Sequence, residues 1–289
     1  VNQLGRLAAA AVGTDAVAPM VVHIGYPRTA SSFLQTQVFR SLPNNVPARH
    51  YDTLPETGAA LREQTNGVRS AIYSNEHLSG GIDGDHVEYA GVVQQAWPGA
   101  RIIIVIRSQY SIFRSYYHLA TKGGATKTFP DFVKARLHRM FLYRAMVERY
   151  WELFGADQVK VLLYEDLSRD PQAFLHEVIA FTGNDPALNG DVRLGKIKTS
   201  ATDIGMRILR WRNLALTPVA RLFPDLVVRL QTAGLPGLGL VERLAGGMPL
   251  AKLPLDELRP IIREAYAHDN AVLFARLGRR IADYDYPQP

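Results

Sequence analysis

Five β-branched residues in succession, Ile102–Ile106 within "RIIIVIR" (Arg101–Arg107), cannot make a half-exposed strand. An extended segment with no polar face has to be covered on both sides, as strands of a parallel sheet are. "MVVHIGY" (Met20–Tyr26) and "SAIYSN" (Ser70–Asn75) read the same way, and so does "VKVLLYEDL" (Val159–Leu167). Helical patterns fall between them. Phe132, Val133, Leu137, Met140 and Phe141 recur at helical spacing, and the pattern continues through Tyr150, Trp151 and Phe154 to a stop at Gly155. Asp170 and Pro171 form an N-cap and first-turn pair ahead of an apolar face of Phe174, Leu175, Val178, Ile179 and Phe181. Strand–helix alternation predicts an α/β fold, a central parallel sheet flanked by helices in three layers. Ligands of such sheets sit beyond the carboxyl ends of the strands, so the residues that follow each strand hold the chemistry.

After the first strand comes "GYPRTASSF". A turn entering a helix offers successive backbone N–H groups and the positive end of the helix dipole to an anion. Thr29, Ser31 and Ser32 add hydroxyl donors, and Arg28 adds a fixed cationic fork. The plain alternative is a Gly-Tyr-Pro turn with serine capping. The strict triphosphate pattern G-x-x-x-x-G-K-[ST] is not met, because Ala30 stands near the second glycine position and Ser31 at the lysine. The end of "RIIIVIRS" is Arg107, where a triphosphate hydrolase needs an acidic magnesium ligand. Both departures argue for direct phosphate binding without a metal.

The third strand continues "IRSQYSIFRSYYHL", and Ser115 lies two helical turns beyond Arg107. Residues so spaced share a side of the helix, so the pair can grip one phosphate. Arg114 is either a further contact or a solvated charge. Two grips at adjacent strand ends suit a nucleotide with phosphates at two positions.

With these motifs in order, the chain resembles the sulfotransferases that use 3′-phosphoadenosine 5′-phosphosulfate (PAPS). "GYPRTASSFLQ" is similar to that family's 5′-phosphosulfate loop, "IIIVIRSQYSIFRSYYHL" to its 3′-phosphate motif, and "LLYEDLSRDPQAFLHEVIAFTG" to the segment that follows. "AYAHDNAVLFARLGRRI" looks like the terminal helix of bacterial members. The resemblance implies a P-loop-like fold, PAPS as donor, PAP as product and no metal. It implies nucleotide contacts at Arg28, Thr29, Ala30, Ser31, Ser32, Phe33, Arg107 and Ser115. Tyr164 would contact adenine, against a simple packing role, and Lys198 and Thr199 lie in a loop that would close over the nucleotide. Many members carry lysine at Arg28 and glycine at Ala30. Arginine holds its proton too firmly to act as an acid, so Arg28 is assigned electrostatic stabilisation.

Transfer to an alcohol also needs a base. "AIYSNEHLSGG" offers Glu76 and His77 at the end of the second strand. The Ser74-Asn75-Glu76 context resembles the carbohydrate-modifying branch, where a glutamate is the base, and this favours Glu76 over His77. Either could instead cap the following turn. Glu165 and Asp166 read as residues that cap and orient the next loop.

The expectation is a single domain over 1–289. A nucleotide-binding core would span about 20–200, a helical acceptor-side excursion about 204–254 and a closing helix about 255–284. A net charge of +6 fits an anionic partner, but the basic residues are dispersed, which argues against nucleic acid. Arg207, Arg210, Arg212, Arg221 and Arg229, spaced among Leu, Trp and Val, read as ordinary helix exteriors or as a face for peripheral contact with a membrane. With no cysteine, no membrane-spanning run, and an apolar run in "VNQLGRLAAAAVG" too short for a signal peptide, the expected setting is the bacterial cytoplasm. The acceptor expected is a small molecule, glycan or glycolipid; these motifs specify neither its identity nor the oligomeric state. The rival readings are a divergent nucleotide kinase and a nucleotide-binding module without turnover.

Overall fold

The computed structural model describes residues 20–42, 56–64, 72–79, 86–187, 203–220, 223, 225 and 253–289. Strands β1 (Val21–Gly25), β2 (Ile72–Ser74), β3 (Arg101–Ile106) and β4 (Val159–Leu163) form one sheet in the order β2-β1-β3-β4. Every pairing is parallel, with Val21 beside both Ile72 and Arg101, and Ile102 beside Val159. The helices are α1 (Ser31–Phe33), which runs on through a π turn at Leu34–Val38, then α2 (Gly58–Gln64), α3 (His86–Ala96), α4 (Gln109–Lys122) and α5 (Phe129–Lys134). They continue with α6 (Tyr143–Phe154), α7 (Tyr164–Arg169), α8 (Pro171–Phe181), α9 (Asp203–Ala220) and α10 (Leu255–Arg276).

Side chains alternate across the pleat, and both faces are buried. Val22, Ile24, Ile102, Ile104 and Ile106 pack in one core with residues of α3, α4, α6 and α10. Val21, Ile103, Val105 and Leu162 pack on the other side with Leu34, Val38 and Phe39 and with Phe174, Leu175, Val178 and Ile179 of α8. The covered apolar runs thus become the middle of three layers, in a P-loop-like α/β fold. From β1 the chain crosses to β2 on one side and returns to β3 on the other. The crevice beyond β1 and β3 is therefore the switch point of the sheet, where such folds bind ligands.

Several boundaries differ from the sequence reading. β4 stops at Leu163, and the "YEDL" residues turn helical in α7, with Glu165 and Asp166 in its first turn. The single long helix expected from Phe132 to Phe154 is two, because His138 and Phe141 both take φ of 60°. That break drives Phe141 into an aromatic cluster with Tyr26, Phe113, Tyr116 and Tyr143. The closing helix ends at Arg276 rather than near Tyr284, since Gly278 takes the left-handed conformation (φ 66°) and turns the chain back. Asp170 caps α8 as expected, accepting from the Ala173 N–H at 3.0 Å. Most of the excursion beyond Ala220 lies outside the described residues. Among the described residues, no helix is long and apolar enough to cross a membrane.

Candidate active site

The loop after β1 is a tight curl. The Tyr26 carbonyl accepts from the Thr29 N–H (3.2 Å) and the Thr29 hydroxyl (2.6 Å), and more distantly from the Ser31 hydroxyl (3.4 Å). Arg28 and Ala30 both adopt left-handed backbone, at φ 77° and 69°. Such reversals fold backbone N–H groups toward one side and make an anion-binding concavity. Gly25 lets the curl close on the strand: a Cβ there would stand 2.9 Å from Ser31 Oγ and 3.1 Å from Thr29 Oγ1. Thr29 and Ser31 are buried, Ser32 is exposed, and Ala30 and Phe33 pack partly against the second core.

The element after β3 meets this loop directly. Arg107 Nη1 donates to the Arg28 carbonyl (2.9 Å) and Arg107 Nε to Ser111 Oγ (2.8 Å). The Arg107 guanidinium also lies over the Tyr164 ring, 4.1 Å from its centroid. Arg28 Nε donates to Ser115 Oγ at 2.8 Å. Arg28, Arg107, Ser115 and Tyr164 are thus one cluster, but Arg107 and Ser115 are joined through Arg28 and not to each other. Burial lowers the Arg28 pKa, and the neighbouring Arg107 charge lowers it further, while Glu76 and Tyr164 act in the opposite direction. Two half-buried guanidinium groups at one crevice favour an anion between or beside them.

Glu76 begins a 3₁₀ turn after β2 and is half-buried, whereas His77 is exposed and its backbone N–H is held by Asn75 Oδ1 at 2.9 Å. The Glu76 charge lies within electrostatic reach of Arg28. Lys198 and Thr199 lie outside the described residues. Arg114 is taken up by Asp203 of α9 at 2.7 Å.

Three supports of the cluster escape a motif search. Ser111 fixes the Arg107 fork, and its only trace in the sequence is the four-residue Arg–Ser spacing in "RSQYS". The Tyr143 hydroxyl donates to the Arg107 carbonyl at 2.6 Å. Glu165, whose pKa is raised by burial, accepts from the Ser108 N–H (2.9 Å) and from the Tyr286 hydroxyl (3.0 Å). The Tyr143 and Glu165 contacts join residues far apart in sequence, so local spacing carries no sign of them.

Fold and site together define an α/β protein with an arginine-lined crevice at its switch point. Residues 82–186 match the sulfotransferase family model. That segment includes Arg107, Ser115, Tyr164 and Glu165 and begins after Arg28 and Glu76. No curated protein sequence is similar enough to count as a relative. Among solved structures, a sulfotransferase from Alicyclobacillus acidocaldarius is similar at 20% identity and a TM-score of 0.45, over 77% of this chain and 100% of that one. Mouse sulfotransferase SULT7A1 complexed with PAP is similar at 16% identity and a TM-score of 0.45, over 84% and 90% of the two chains. The sulfotransferase domain of the Synechococcus PCC 7002 olefin synthase is similar at 15% identity and a TM-score of 0.40, over 77% and 98%.

Proposed function

We propose that this chain transfers a sulfuryl group from PAPS to a hydroxyl of a carbohydrate or glycolipid, by in-line displacement without a metal. The observation that carries the reading is the junction of Arg28 and Arg107 at the switch point, with Glu76 in reach of Arg28. The residues suit a nucleotide carrying phosphates at two positions. The curl at Gly25, which the Thr29 hydroxyl holds closed on the Tyr26 carbonyl, offers the Ser31 and Ser32 hydroxyls as a neutral donor set for one, while Arg107 and Ser115 offer a second grip. When bound, PAPS would supply a sulfuryl group activated by its anhydride link to phosphate.

The remaining work falls to the chain. Glu76 takes the acceptor proton, because it is half-buried and within electrostatic reach of Arg28 while His77 is exposed. Arg28 keeps its proton and acts as a fixed charge, stabilising negative charge on the transferring group and the leaving phosphate. Tyr164, under the Arg107 guanidinium, offers a ring face at the side of the site. The Ser74-Asn75-Glu76 context supports the carbohydrate or glycolipid acceptor. Arg107, where a kinase would hold magnesium through a carboxylate, speaks against ATP chemistry.

The test incubates the protein with radiolabelled PAPS, EDTA and a panel of sugar, glycolipid and phenol acceptors. The expected outcome is label on a sugar or glycolipid. Glu76→Gln should lower transfer by about 10²–10⁴-fold while PAP binding persists. Loss of transfer in His77→Ala alone would move the base to His77. Binding without transfer to any acceptor would make the chain a binding module, and failure to bind PAP would overturn the reading.

A further inference from the structure

His23, the third residue of β1, is fully buried and lies edge-on to Phe39 with ring centroids 5.3 Å apart. Its two ring nitrogens meet different surroundings. Nδ1 is 2.7 Å from Ser74 Oγ on β2. The Gln35 amide nitrogen donates to that same hydroxyl oxygen at 3.1 Å and approaches the Ser74 carbonyl at 3.4 Å. A carbonyl only accepts, so the amide nitrogen belongs on that side of Gln35. Having accepted from Gln35, the Ser74 hydroxyl has its own proton for His23 Nδ1. The ring proton then sits on Nε2.

Nε2 is buried from solvent and has no hydrogen-bond partner among the described residues. It points at the floor of the loop. The position a Cβ on Gly25 would take lies 3.1 Å from Nε2, 2.9 Å from Ser31 Oγ and 3.1 Å from Thr29 Oγ1. Three polar groups therefore surround one point beneath the curl. The Thr29 hydroxyl is committed to the Tyr26 carbonyl at 2.6 Å, but the Ser31 hydroxyl reaches that carbonyl only at 3.4 Å. Ser31 is the acceptor still open to a donor from below.

We propose that His23 is a positioning residue of the anion loop: its Nε2–H, unpartnered in this structure, is taken up by the Ser31 oxygen when a bound phosphate turns the Ser31 proton outward. The inference rests on the nucleotide reading above. With the phosphate bound, each group in the series Gln35, Ser74, His23, Ser31 would donate forward, and such chains polarise one another. Burial pushes the His23 pKa down to about 3, so the ring acts as an oriented neutral donor and adds no charge. The series also ties the loop to the strand leading into Glu76, for the Asn75 N–H donates to the His23 carbonyl at 3.2 Å.

Calorimetric titration with two ligands separates this role from general support of the fold. Adenosine 3′,5′-bisphosphate (PAP) engages the loop, whereas adenosine 3′-phosphate has no 5′-phosphate to place there. His23→Leu should weaken the bisphosphate by about tenfold, the equivalent of one hydrogen bond of ~1.4 kcal/mol, and leave the monophosphate unchanged. His23→Gln, whose amide nitrogen can stand in for Nε2, should stay within about threefold of wild type. Ser74→Ala frees the ring to carry its proton on Nδ1 and should lose about threefold for the bisphosphate alone; it decides the matter if His23→Leu does not fold. Equal losses for both ligands, or no loss for the bisphosphate in either variant, would overturn the proposal and leave the nucleotide reading intact. A wild-type protein that fails to bind the bisphosphate would sink the nucleotide reading, and this inference with it.

Discussion

Ala30 shows how a sequence departure acquires a physical meaning. Where many sulfotransferases carry glycine, this chain has a residue with a Cβ held at φ 69°, and the neighbouring Arg28 is at φ 77°. A left-handed L-residue costs roughly 1–2 kcal/mol, so the loop stores strain at two positions next to the anion site. Ala30→Gly should relieve one of them. Glycine also gains entropy in the unfolded chain, which offsets part of the relief. The expected net change is a stabilisation of about 0.5–1 kcal/mol in urea unfolding, with the curl and its Tyr26 bonds retained. A destabilised Ala30→Gly variant would mean that the Cβ packing against the second core outweighs the strain. The strain itself was not legible, since "PRTASS" contains no glycine to mark a positive φ. What was legible at this scale was residue type: hydroxyls and arginines placed after strands, where the fold needs donors.

At the scale of elements, the sheet was legible because burial on both faces leaves an unmistakable composition, and Ile102–Ile106 are all fully buried. The boundaries were less so. Helical spacing through Phe132, Leu137, Met140 and Tyr150 ran across a real break, because Phe141 satisfies the period while belonging to a different packing problem. It is fully buried and meets Tyr26, Phe113, Tyr116 and Tyr143 at ring-centroid distances of 5.5, 5.1, 5.5 and 6.3 Å. Tertiary packing of this kind overrides local propensity, and the Phe141 φ of 60° is part of what it costs. Phe141→Ala should therefore destabilise the protein by about 3–5 kcal/mol, by emptying the centre of the cluster. Chemical denaturation would read this directly. A loss under about 1 kcal/mol would show that the cluster collapses around the gap and that Phe141 is not its anchor.

Across the whole molecule, the C-terminal residues reach back to the turns that carry the site, which no local motif foretells. The Ser108 hydroxyl donates to the Asp285 carbonyl, and Arg279 pairs with Asp166. The Tyr284 hydroxyl donates to Asp166 Oδ1 at 2.9 Å, and the Tyr286 hydroxyl to Glu165 Oε2 at 3.0 Å. Glu165 in turn holds the Ser108 N–H, one residue beyond Arg107. The turn that positions Arg107 is thus fastened from α7 and from the tail at once. Removing the Tyr286 hydroxyl leaves a largely buried carboxylate oxygen without its donor, which costs about 1–3 kcal/mol. Tyr286→Phe should accordingly lower stability by that amount and loosen the turn under Arg107. On the reading of Arg107 as a 3′-phosphate ligand, PAP affinity should fall while affinity for adenosine 5′-phosphate stays the same, because only the former uses that grip. Parallel titrations of the two ligands would detect the difference. A variant that loses stability but binds both ligands as wild type does would mean that the tail secures the fold without setting the Arg107 geometry.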